Sequence, residues 1–264
     1  MNRLRLHKTE AIVLKHLNIG EGDRIVTFYT PHLGKLRAVA RGAREIKSHL
    51  AGHLEPLTRC RVLVHQGRTL HTISQCETIE SNLALREDLW RLTRSLYLAE
   101  LVERFAQEGQ ENEPLYLLFQ DCLAELATAA NADLLLRFFE MQLLGLTGFE
   151  PELAACVECR TVLTPTSHFF SASAGGVLCG DCRNRFSLHR PLSLNALKVL
   201  RFLAAANLSQ TANLRLPESL AMELEVVTRQ YLRYLLEQEL KSTDFLDMLR
   251  RDAARAVTAR ELDY

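Results

Sequence analysis

Four cysteines carry the plainest chemistry in this 264-residue sequence. Cys156 and Cys159 form one C-x-x-C pair, and Cys179 and Cys182 form a second. A two-residue spacer lets a tight turn aim both thiolates of a pair at one point. Two such pairs complete a tetrahedron around an ion such as Zn²⁺. Nineteen residues separate the pairs, room for a hairpin, and Gly175, Gly176 and Gly180 supply permissive backbone for the turns. Four sulfurs fill the coordination sphere, so the expected cofactor is one structural Zn²⁺ that folds a module and catalyses nothing. Disulfides fit less well: Met1-Asn2-Arg3-Leu4-Arg5 is not followed by the apolar stretch of a secretory signal, and a reducing cytosol does not keep them. A redox C-x-x-C opens a helix after a strand, whereas Pro151 and Glu152 precede the first pair and no βαβ pattern surrounds it.

Catalytic signatures do not appear. The sequence holds no phosphate-cradling Gly-rich loop, dinucleotide fingerprint or nucleophile elbow. His53-Leu54-Glu55 matches the H-x-E half of a zinc deaminase, but that chemistry needs a P-C-x-x-C partner and an open metal position. Neither cysteine pair follows a proline, and the second pair would close the position. His53 therefore reads as a loop residue beside Pro56. Cys60, Cys76 and Cys122 are scattered and read as small core residues. No residue is assigned a catalytic role, and the protein is not expected to be an enzyme.

Charge is more informative than the zero net balance suggests. Residues 1–80 hold 13 Lys/Arg against 7 Asp/Glu and seven of the nine histidines, whereas residues 81–264 hold 19 against 25. A basic half points to a polyanion partner, with a merely solvated basic surface as the plain alternative. Within that half Arg24, Lys35, Arg37, Arg41, Arg44 and Lys47 fall inside 24 residues. By alternation Arg37, Val39 and Arg41 share one strand face, which gives that strand an exposed basic side. Cations over a small β barrel are how OB-folds follow a nucleic-acid backbone, without reading its sequence. The only aromatic residues in residues 1–80 are Phe28 and Tyr29, so backbone contacts should dominate over stacking.

These residues need elements to position them. Ala11–Leu14, Arg24–Thr30, Leu36–Arg41, Arg59–His65 and Leu70–Cys76 read as short strands separated by turn residues, which suggests a closed five-stranded barrel. Helical spacing begins near Ser81. Leucine and phenylalanine stripes predict helices to Phe105, from Pro114 to Ala129 and from Asp133 to Leu146. Ser193 caps a further helix through Ala206, and Pro217 starts a long one through about Leu240. The expected fold is multi-domain α+β: an OB-fold barrel over 1–80, helices over 81–150, a zinc module over 151–190, helices again over 191–249 and a fraying tail over 250–264. No charge-free run is apolar enough to span a membrane, and a cytoplasmic location is expected.

With those residues in view, the chain resembles the RecO family of bacterial recombination mediators. Gly20-Glu21-Gly22-Asp23-Arg24-Ile25-Val26 and Thr30-Pro31-His32-Leu33-Gly34-Lys35, continuing to Arg44, look like the family's N-terminal signature. Leu146-Thr147-Gly148-Phe149-Glu150-Pro151 before Cys156 looks like a second, and Phe169, Gly175 and Gly176 before Cys179 fit its cysteine module. The resemblance implies binding of single- and double-stranded DNA and annealing of complementary strands. It also implies help, together with RecR, in loading RecA onto strands coated by single-strand-binding protein, whose acidic C-terminal tail the helical region would receive. Arg24, Lys35, Arg37, Arg41 and Arg44 match the family's basic positions; Lys47 is added on charge alone. Cys156, Cys159, Cys179 and Cys182 match its metal ligands. The alternative is a zinc-stabilised protein–protein adaptor with weak non-specific DNA binding.

Overall fold

The computed structural model describes residues 6–262. Met1–Arg5 and the last two residues of the expected tail lie outside them. In chain order the elements are β1 (Leu6–Ile19), β2 (Asp23–Thr30), β3 (Gly34–Ala40), β4 (Arg59–His65), β5 (His71–Glu80), α1 (Leu83–Arg86), α2 (Leu89–Phe105), α3 (Glu113–Leu126) and α4 (Ala132–Leu146). Then come β6 (His168–Ser171), β7 (Gly176–Leu178), β8 (Arg190–Leu192), α5 (Leu194–Ala205), α6 (Leu208–Ala212), α7 (Glu218–Leu236) and α8 (Lys241–Leu262). They form two compact units, residues 1–128 with 240–264, and residues 129–239.

The first unit is built on a closed, OB-like barrel of five strands in the order β1-β2-β3-β5-β4. β1 closes it by pairing twice, with β4 over Leu6–Ile12 and with β2 over Ile12–Ile19. Val13 stands opposite Phe28 and Lys15 opposite Thr27, so Leu14 is the extra residue of a bulge that bends the strand between its two partners. The remaining seam is parallel, Ala38 and Val39 beside His71 and Thr72. Alternation sends Val26 and Phe28, Leu36, Ala38 and Ala40, and Cys60, Val62 and Val64 into one buried core. The sequence predicts only Ala11–Leu14 of β1, the four residues buried on both faces. The rest alternates polar and half-buried residues and carries a weak signal.

Helices α2 and α3 are capped by Asp88 and Asn112, whose side chains accept from the Arg91 and Leu115 amides. They dock on the barrel through backbone as much as side chains. Lys35 N–H donates to Gln107 O at 3.3 Å, Gly109 N–H to Lys35 O at 3.2 Å, and Tyr29 Oη to Asn112 O at 3.2 Å. Gly34 is required here: its φ is +57°, and a Cβ would collide with the Gln110 backbone.

The helices divide differently from the expected single helical domain, since α1–α3 and α8 belong with the barrel. Helical periodicity shows that a face is buried without naming its partner. Here the partner is set by Glu100 on α2, whose carboxylate accepts from Lys241 N–H (3.1 Å), Ser242 N–H (2.9 Å) and Ser242 Oγ (2.6 Å). The long helix expected through Leu240 stops at Leu236, where Glu237 turns into the left-handed region, and the expected tail is helical as far as Leu262.

In the second unit α4 is buried almost all round, and its Arg137 donates to Glu140 Oε1 at 2.5 Å and lies 3.9 Å from Glu225 Oε2. Gln142 Nε2 donates to Leu203 O and Ala204 O at the end of α5, while Ser193 caps its start and is itself held by Glu223. The cysteine module sits between α4 and α5 as a three-stranded sheet in the order β7-β6-β8. No helix among the described residues is long and apolar enough to cross a membrane.

Replacing Glu100 by alanine removes the acceptor for three donors at the start of α8. The expected cost is about 1–2 kcal/mol of stability, read as a lower urea midpoint with faster amide exchange confined to the first turns of α8.

Candidate nucleic-acid interface and metal centre

On β3 the inward residues Leu36, Ala38 and Ala40 leave Lys35, Arg37 and Val39 facing outward, and Arg41 opens the turn that follows. Arg37 and Arg41 are exposed, and among the described residues neither has a carboxylate within ion-pair distance. The loop that follows is fastened to the β1–β2 turn. Arg44 N–H donates to Gly22 O at 2.8 Å, its guanidinium to Gly20 O at 3.1 Å, and Gly42 N–H to Asp23 Oδ1 at 2.8 Å. Gly42 makes that turn at φ +61°. The fastened loop presents Arg44 and Lys47 to solvent beside Arg41.

The structure does not bring Arg24 and Lys35 to this set. Arg24 alternates with the outward Ile25 and faces the other way, where Glu55 Oε1 lies 2.9 Å and Asn18 Oδ1 3.2 Å away. Lys35 shares the outward face, but its Nζ turns to the Glu103 carbonyl at 2.6 Å. Burial lowers its pKa from the usual lysine value, against the opposing pull of Glu103 and Glu108. Both aromatic residues of the strands are enclosed, Phe28 in the barrel and Tyr29 beneath Asn112 and Tyr116. Arg68, which falls between the expected strands Arg59–His65 and Leu70–Cys76, is exposed between β4 and β5, just before β5 meets β3. Its signal is topological: in OB-folds the β1–β2 and β4–β5 loops flank the binding face. His53 lies in a 3₁₀ turn, with Nδ1 2.7 Å from Thr78 Oγ1, and serves as a tie to β5.

The four cysteines of the module converge, with all sulfurs within 4.8 Å of one another. Cys159 and Cys179 are 3.8 Å apart, and bonds of about 2.3 Å to a tetrahedral Zn²⁺ give sulfur–sulfur edges of about 3.8 Å. The set thus fits a metal ion. The first knuckle closes where Arg160 N–H donates to Cys156 O and Cys156 N–H to Thr161 O, both at 2.9 Å. The Thr161 hydroxyl and amide pull the Cys159 thiol down to about 6, whereas burial and three neighbouring sulfurs push Cys182 up to about 12. Four thiolates this close repel one another, and a dication removes that repulsion. Strand pairing frames the cluster: Val157 N–H donates to Val177 O and Val177 N–H to Glu152 O, both at 2.9 Å.

These features define a basic, OB-like β barrel with docked helices, followed by a helical unit that carries a four-cysteine cluster. Residues 1–82 match the family described as Recombination protein O N terminal, and residues 86–244 match Recombination protein O C terminal. The DNA repair protein RecO of Roseiflexus sp. strain RS-1 is 40% identical over 249 residues, covering 94% of this chain and 88% of the relative. That of Dehalococcoides mccartyi strain 195 is 35% identical, covering 92% and 96%, and that of Desulforamulus reducens is 36% identical, covering 93% and 96%. The chain belongs to the RecO family of DNA repair and recombination proteins.

Substituting Cys159 by serine should lower metal affinity by more than the roughly 10–100-fold that loss of an outer-shell partner costs. Competition with a chromogenic chelator measures this, and the melting temperature should fall with metal content.

Proposed function

We propose that this protein is a DNA-binding recombination mediator. In this reading it binds single- and double-stranded DNA through the outward cations Arg37, Arg41, Arg44 and Lys47, while Arg24 and Lys35 of the expected set are engaged by Glu55 and by the Glu103 carbonyl. It anneals complementary strands and, with RecR, helps load RecA onto strands coated by single-strand-binding protein, whose acidic tail it also receives. It works in the cytoplasm at the nucleoid, breaks no covalent bonds and carries one structural Zn²⁺ on Cys156, Cys159, Cys179 and Cys182. The observation that supports it best is the run of exposed, unpaired cations along β3 and the loop fastened after it. Annealing brings two polyanions together, and such a surface lowers their repulsion by screening and counterion release. Contacts to phosphates leave base edges free to pair.

The second reading is a zinc-stabilised adaptor that binds proteins and touches DNA weakly. A cleft of about 540 Å³ in the second unit favours it, lined by Leu188, Arg233 and Tyr234 among others. One assay separates the two. Annealing of oligonucleotides pre-coated with single-strand-binding protein should be stimulated by the wild-type chain and lost on replacing Arg37 and Arg41 by alanine. In a salt titration the same variant should flatten the slope of log affinity on log salt by about 0.7 per arginine for single strands. Unchanged affinity and slope would remove the interface from β3 and leave the adaptor reading.

A further inference from the structure

The outward face that carries the free arginines also carries a partly exposed apolar row. The register places Leu17 of β1 opposite Ile25 of β2, and Ile25 opposite Val39 of β3. Partners across a ladder point to the same side of the sheet, and neighbouring strands lie about 4.8 Å apart. The three side chains therefore form a continuous aliphatic strip about 10 Å long. Leu17 is 65% exposed, and Ile25 and Val39 are half-buried. The neighbouring residue on the same face of β3 is Arg37, about 7 Å from Val39 along the strand, and Arg41 begins the turn just past the strand's other end. An apolar strip between two unpaired cations suits a ligand with a flat apolar surface and a repeating negative charge.

We propose that Leu17, Ile25 and Val39 form the docking strip for unpaired bases, and that this strip sets a preference for single-stranded over duplex nucleic acid. The proposal rests on the DNA-binding reading above and adds what the cations alone cannot supply. Phosphates are common to both forms, so Arg37 and Arg41 do not tell them apart. Base faces are hidden by stacking in a duplex and open in a single strand. The enclosure of Phe28 and Tyr29 takes away the aromatic platform an OB-fold usually offers, and the aliphatic strip stands in that place. Aliphatic contact has no directional preference among the bases, so the strip discriminates strandedness and not sequence. Pairing remains possible because the strip touches a base face and leaves its edge outward.

The test compares three probes at one salt concentration: a single-stranded oligonucleotide, the matching duplex, and an abasic single strand of equal length. The double variant Leu17→Ser, Val39→Thr should weaken single-strand binding about tenfold and change duplex binding less than twofold. The wild-type chain should bind the abasic strand about as weakly as the variant binds the normal one, a comparison that needs no variant to fold. Equal losses on single strand and duplex, no loss on either, or undiminished binding of the abasic strand would overturn the proposal. Replacing Arg37 and Arg41 by alanine must weaken all three probes. If it weakens none, the DNA-binding reading fails; if it does weaken them while the serine–threonine variant keeps its single-strand affinity, only the strip fails.

Discussion

The pairing of β1 with two neighbours is the constraint on which the first unit depends. An open sheet leaves two edges of unpaired N–H and C=O groups, and closure removes them. Closure here requires one strand to follow β4 for half its length and β2 for the other half, with a bend at Leu14. The bend is pinned from outside the ladder, by Val13 N–H donating to Thr58 O at 3.0 Å and Leu57 N–H to Val13 O at 2.8 Å. Strand alternation has a period of two, so a one-residue slip exchanges the faces completely. It would turn Arg37 and Arg41 into the barrel and Leu36, Ala38 and Ala40 out of it. The exposure of the cations is thus a consequence of register.

The basic residues of this half divide by what surrounds them. Lys35, on the outward face, and Arg24, on the opposite face at the other end of the β2–β3 ladder, have structural partners in the Glu103 carbonyl and the Glu55 carboxylate. The partly exposed Arg24–Glu55 ion pair contributes at most about 1 kcal/mol, and Lys35 donates only to a main-chain carbonyl, so their main effect is geometric, fixing α2 and the turn before β4 against the barrel. Arg59 and Arg61 are similarly engaged by Glu10, and Arg61 also by Glu77. Arg37, Arg41 and Lys47 are exposed, and among the described residues no carboxylate lies within ion-pair distance of them. Free cations of this kind can exchange condensed counterions for phosphate contacts, which is where salt-dependent affinity arises.

Much of this was legible in the residues. Strands β2 and β3 were visible because β-branched and aromatic runs sit between glycine turns, and the cysteine spacing announced its cluster directly. The Ser193 cap and the Pro114 start of α3 were readable because caps are local chemistry. What could not be read was pairing across the chain. Charge places Arg24 and Lys35 among the exposed cations, while their partners Glu55 and Glu103 lie far along the sequence. The same holds for α8, whose partner Glu100 is on the second helix. The strip of Leu17, Ile25 and Val39 was hidden for another reason: it runs across three strands, and no single strand shows more than one of its members.

The cysteine cluster answers a different physical problem. Strands of four, three and three residues cannot hold a sheet by ladder bonds alone. Their core is thin, with Phe170, Val177 and Leu178 as its main apolar members. The four converging cysteines could hold a metal ion, which would remove loop entropy from the stretch Cys156 to Cys182 that so small a core cannot offset. The module is tied to its surroundings in the second unit. Tyr231 of α7 packs edge-on to Phe170 at 5.5 Å and donates to Phe149 O at 3.0 Å, and Arg201 of α5 donates to Leu153 O at 2.8 Å. The module is also nearly neutral, four Arg against three Asp/Glu over residues 151–190, and so is a poor phosphate binder. The strongest chemical motif in the sequence would therefore secure the second unit by holding a metal, while the weaker signal, Arg37 on β3 with Arg41 and Arg44 in the loop after it, marks the surface proposed to meet DNA.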